Sequence, residues 1–96
     1  MLKHLVFFKF RPDTNDADIE KLAQDLGALP AVISEIREFE FGRDIIHSER
    51  SYDFALVSAF DDLKAMQRYQ GHPDHQAVLA HIKKICSSIV AVDYQC

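Results

Sequence analysis

The chain has 96 residues, a formal net charge of −4 and hydrophobic side chains at 48% of its positions. This length suits one domain, residues 1–96, and its lysines and arginines are scattered without the basic face that neutralising several phosphates requires. The composition therefore argues against a nucleic-acid partner, and the acidic balance argues against a membrane surface.

Cys86 and Cys96 form neither a disulfide framework nor a metal-spaced set. The opening "MLKHLVFFKF" holds an apolar run of only four residues before Lys9, too short for a secretion signal or a spanning helix. Both features point to a reducing, cytoplasmic setting. A chain this small buries roughly 60–65% of its unfolded surface. Ten aromatic residues are hard to hide in so thin a core, which is a first hint of a partner subunit.

Residues 2–10, "LKHLVFFKF", read as a strand. Leu2, His4, Val6, Phe8 and Phe10 share one face; Lys3, Leu5, Phe7 and Lys9 share the other. Both faces are apolar in the middle, so the strand is expected to be covered on both sides. "RPDTND" is a turn in which Thr14 or Asn15 caps the next helix. Ile19, Leu22, Ala23 and Leu26 give that helix an apolar stripe, and Gly27 is expected near its end. "ALPAVI" reads as a short extra turn around Pro30.

Residues 35–45 alternate imperfectly and read as a strand with one wet face, with Gly42 as a candidate bulge. "YDFALVSAF", 52–60, is a strongly apolar strand. Asp61 and Asp62 then cap a short helix carrying Leu63, Met66 and Tyr69, which stops at Gly71. A longer helix starts at Pro73, where the missing N–H costs nothing, with Val78, Leu79, Ile82, Ile85 and Cys86 as its stripe. "SIVAVDY", 88–94, is the closing strand.

The order is β-α-β-β-α-β, with the second helix split at Gly71–Pro73. It predicts an α+β, ferredoxin-like protomer: a four-stranded antiparallel sheet with helices on one face. The other face is left bare, carrying one of the two apolar sets. A second copy packed against it would bury that set, giving a homodimer through the sheet faces and a dimeric α/β barrel.

"KHLVFFKF", "ALPAVI", "GRD", "YDFALVSAF", "YQGHPDHQAV" and "VAVDY" follow the order of one family. The chain resembles the stress-responsive dimeric α/β-barrel (Dabb) domain family along almost its whole length. "HPDH" before an apolar helix and the histidine of the first strand are the most specific part. The resemblance implies the protomer and dimer argued above, but no single function. Members include plant stress proteins and small-molecule cyclases acting on linear polyketides. In one plant cyclase of the family, the catalytic tyrosine and histidine match Tyr69 and His75, and a first-strand histidine matches His4. Its third-strand pocket histidine is replaced here by Phe54, which makes one wall less polar.

Independently of that resemblance, His75 points along the apolar stripe of the last helix. A buried, neutral imidazole there is suited to act as a general base, and Tyr69 to hold a developing negative oxygen. The plainer alternative is a core histidine with its hydrogen bonds satisfied. His4 either lines the same cavity or bonds a backbone carbonyl at the barrel rim. His72 is held extended by Pro73 and either shapes the turn or contributes to the site. His47 and His81 read as solvated. The spacing of His72 and His75 lacks the i, i+4 pattern of a helical zinc pair, no third ligand is obvious, and no phosphate loop or nucleophilic triad stands out.

The resulting expectation is an apolar cleft between sheet and helices, lined by His4, Phe8, Phe54, Tyr69 and His75, with His72 alongside. It would bind a small hydrophobic acid or keto compound without metal or organic cofactor. Two other readings stay open. One is a cofactor-free cyclase using the Tyr69/His75 acid–base pair. The other is a non-catalytic, stress-linked structural dimer.

Overall fold

The alternation of the first strand decides the layering in the computed structural model, which describes residues 1–96. In β1 (Leu2–Phe10), Leu2, His4, Val6 and Phe8 are buried, whereas Lys3, Leu5, Phe7 and Lys9 are half-buried. The remaining elements are α1 (Asp16–Val32), β2 (Glu38–Arg43), β3 (Phe54–Phe60), α2 (Leu63–Gly71), α3 (Pro73–Ile85) and β4 (Cys86–Gln95). The four strands form an antiparallel sheet in the order β2-β3-β1-β4. The fold is the expected ferredoxin-like one, with the helices on a single face.

Register assigns the side chains to faces. His4 lies opposite Ser58 and Asp93, Val6 opposite Leu56 and Ala91, and Phe8 opposite Phe54 and Ile89, all on the helix-covered face. On the bare face, Leu5 lies opposite Val57 and Val92, and Phe7 opposite Ala55 and Val90. Of the bare set, Val92 is 56% exposed and Tyr94 47%. An apolar row of this kind invites a covering partner.

Each helix starts on a side-chain cap. Asn15 accepts from Asp18 N at 2.8 Å, and the Asp18 carboxylate reaches back to Asn15 N, closing a capping box. Asp62 accepts from Ala65 N at 2.8 Å to open α2. Its burial stripe, Ala65, Met66 and Tyr69, faces the sheet. The ring of Tyr69 rests on Phe60, with centroids 4.8 Å apart.

Several expectations need correction. The first helix does not end near Gly27 but runs through Pro30 to Val32. Leu29 and Ile33 are both buried and extend the stripe of Ile19, Leu22 and Leu26. That packing outweighs the single N–H that Pro30 lacks in the last turn. Gly42 is no bulge, because β2 pairs with β3 in unbroken register from Glu38 to Arg43; the irregularity falls at Lys9/Phe10 against β4. Cys86 is not within the last helix. The chain passes directly from α3 into β4 there, and burial pushes its thiol up to about 11. His81 is half-buried rather than solvated, its Nε2 donating to the Asp18 carbonyl at 3.1 Å and tying α3 to α1.

Leu22 is fully buried on the inner side of α1, so Leu22→Ala is expected to lower unfolding free energy by about 2–5 kcal/mol. Asn15→Ala, which removes only the cap, is expected to cost about 1 kcal/mol. Urea unfolding of both variants checks the ranking, and an equal loss from each would contradict it.

Candidate functional site

The site is made where α2 ends and α3 begins. The last four carbonyls of a helix have no partner within it. Here the Gln70 carbonyl is taken up by side chains of the next helix: His75 Nδ1 at 3.1 Å and Gln76 Nε2 at 2.6 Å. Pro73 starts α3 immediately after His72, so the first turn folds back over that carbonyl. His75 is thereby brought against Tyr69, ring centroids 4.5 Å apart.

The tautomer of His75 follows from its partner. A carbonyl only accepts, so Nδ1 carries the hydrogen in the neutral ring and Nε2 keeps its lone pair. Burial lowers the pKa of His75 from its ordinary value and is the largest influence. The bond to Gln70 pulls the other way, and the nearby His4 and His72 lower it further.

Tyr69 is buried, at 1% exposure, yet its hydroxyl has no hydrogen-bond partner in the protein. No side-chain nitrogen or oxygen sealed from solvent is left unpaired, so this hydroxyl opens onto free space. That space is a cleft of about 260 Å³ between α3 and the covered sheet face. Burial raises the phenol well above its ordinary pKa, so it remains a donor.

His4 enters the same cleft from β1. Its Nδ1 bonds the carboxylate of Asp93, directly across on β4. α3 runs alongside β1, since its last carbonyl, Ile85 O, accepts from Arg11 N at 2.8 Å just beyond that strand. The cleft therefore has a polar end at His4, Tyr69 and His75, and an apolar end at Phe8, Ile82 and Ile89.

Four of the six expected residues meet in this cleft: His4, Phe8, Tyr69 and His75. Phe54 does not. It stacks on Phe41 with centroids 5.9 Å apart and also meets Phe8 and Phe10, so it fills the core beneath β2 instead. His72 does not line the cleft either. It is the N-cap of α3, its Nδ1 accepting from Asp74 N at 3.1 Å. Besides the apolar lining of Ile82 and Ile89, three polar members were missed: Asp93, Gln70 and Gln76. Asp93 becomes visible only once the β1–β4 register is known, and Gln70 contributes through its backbone.

Residues 2–96 match the stress responsive A/B barrel domain. An uncharacterised protein of Streptomyces coelicolor is 35% identical, with 99% of each chain aligned. Olivetolic acid cyclase of Cannabis sativa is 22% identical, over 97% of this chain and 94% of its own. Among solved structures, a dimeric ferredoxin-like protein of Thermobifida fusca superposes with a TM-score of 0.91 at 33% identity, covering 99% of this chain and 90% of that one. A hydroxynitrile lyase of Passiflora edulis shares the fold, with a TM-score of 0.86 at 20% identity over 97% of this chain and 90% of its own. The match along nearly the whole chain, with the fold and strand order described above, shows that this chain belongs to the stress responsive A/B barrel domain family.

Proposed function

We propose that this chain forms a single-domain homodimer through the bare face of its sheet, and that the cleft of each protomer binds a small hydrophobic acid or keto compound. The observation that carries the binding reading is the pairing at the polar end. An unpartnered phenol donor and an imidazole with a free Nε2 face the same apolar space. The dimer reading rests on the exposed row of Val90, Val92 and Tyr94 beside Leu5 and Phe7, and on the dimeric state of the related structure from Thermobifida fusca. The two free thiols suit a reducing, cytoplasmic setting.

A second reading adds turnover. With its Nδ1 engaged by Gln70, His75 presents Nε2 as a base, while Tyr69 holds a carbonyl oxygen that becomes negative as the proton leaves. These are the two roles of a cofactor-free, aldol-type cyclisation, and the similarity to olivetolic acid cyclase favours it. The third possibility, a non-catalytic structural dimer, is the outcome left if no ligand enters the cleft.

Light scattering on the eluting protein at micromolar concentration is expected to give a dimer mass. Val92→Lys, which places a charge in the exposed apolar row of the bare face beside Leu5, is expected to give monomers; a monomeric parent protein would sink the dimer.

Titration with a panel of aromatic acids and uncharged keto compounds is expected to shift the ring resonances of Tyr69 and His75 with at least one of them. Removing the hydroxyl donor with Tyr69→Phe should weaken binding about tenfold, the worth of one hydrogen bond. His75→Gln should abolish turnover, if present, while leaving the fold intact. Failure of every compound in the panel to move either ring would leave only the structural dimer.

The depressed pKa of His75 also sets a sign for stability. In the folded state its pKa lies below the unfolded value, so the unfolded chain takes up the proton first. His75 therefore makes stability fall as pH drops below about 6.5. Comparing thermal unfolding of the parent protein and His75→Gln from pH 7.5 to 5 should show a shallower acid limb in the variant. Parallel limbs would contradict the shift.

A further inference from the structure

The charge inventory of the cleft restricts which ligands suit it. None of its lining residues is a lysine, arginine, aspartate or glutamate. Its titratable lining groups are His4, Tyr69 and His75. Tyr69 stays a neutral phenol. His75 is biased toward the neutral ring by burial. Any positive charge on His4 lies against the Asp93 carboxylate, which neutralises it and keeps a negative group beside the polar end. The Gln70 carbonyl at the end of α2 adds a further negative partial charge there. The acidic residue in the first turn of α3, Asp74, is exposed and does not line the cleft.

A carboxylate moved from water into this space would lose its hydration and find no cation in exchange. An uncharged carbonyl oxygen loses much less and gains the Tyr69 hydroxyl, which has no partner in the protein. We infer that the cleft selects uncharged amphipathic carbonyl compounds, such as ketones or esters, and discriminates against the free carboxylate of the same shape. The carbonyl oxygen sits at Tyr69 and the alkyl chain runs toward Phe8, Ile82 and Ile89. This inference rests on the small-molecule reading above and narrows it, removing the acid from the two ligand classes.

The test uses an isosteric pair. 2-Octanone and heptanoate carry the same six-carbon tail on a carbonyl and differ only in a methyl group against an anionic oxygen. Each is titrated into the protein at pH 7.5, with the ring resonances of Tyr69 and His75 as the readout. 2-Octanone is expected to bind at least about tenfold more tightly, the size of effect that an uncompensated charge produces. Ala91→Lys adds a cation at the exposed rim on β4 and is expected to raise heptanoate affinity about tenfold, reducing or removing the preference for 2-octanone. Heptanoate binding as tightly as 2-octanone, or no gain for heptanoate in Ala91→Lys, would overturn this inference while sparing the cleft as a binding site. No response to either compound would overturn the small-molecule reading and this inference with it.

Discussion

The structure depends on one constraint: its helices cover a single face of a four-stranded sheet. Strand parity then sorts every side chain of β1 and its neighbours. His4, Val6 and Phe8 go inward with Leu56 and Phe60, while Leu5, Phe7 and Val57 go outward with Val90 and Val92. A one-residue slip would exchange the two sets and move His4 out of the cleft. The same constraint leaves the cleft. β4 is an edge strand, and Ile89 and Ala91 on it stay exposed at the border of the cleft.

The polar end of the cleft is a product of helix termination. Two helices meet at Gly71–Pro73, and the orphan carbonyl of the first orients an imidazole from the second. His72 and His75 sit three positions apart and do different jobs. One caps α3 by accepting from Asp74 N, and the other is fixed by Gln70 with its second nitrogen free. The segment "YQGHPDHQAV" is thus both a helix junction and the polar wall of the cleft. Tyr69 is held by ring contacts with Phe60, Phe39 and His75, which position it without spending a hydrogen bond on its hydroxyl.

Much of this is legible in the sequence wherever the signal is local. The parity of "LKHLVFFKF", the caps at Asn15 and Asp62, and the proline start of α3 each depend on a few neighbouring residues. What escapes local reading is set by distant partners. Pro30 looks like an ending until Leu29 and Ile33 are seen packed in the core. Phe54 shares the inner face with the cleft residues, yet the aromatic group of Phe8, Phe10 and Phe41 claims it. Asp93 looks like one polar residue in a closing strand, and only the pairing of β1 with β4 sets it against His4. These are long-range register effects that periodicity within one strand does not contain.

The claim on which the site rests is that His75 carries its hydrogen on Nδ1, toward the Gln70 carbonyl, and leaves Nε2 without a hydrogen. The most direct test is the pair of ring ¹⁵N chemical shifts of His75 in the protein without ligand at pH 7.5, where the two nitrogens of a neutral imidazole are resolved by protonation. The account predicts a protonated Nδ1 and an unprotonated Nε2. A protonated Nε2 with a bare Nδ1 would break the bond to Gln70, remove the imidazole acceptor that the site relies on, and contradict the account.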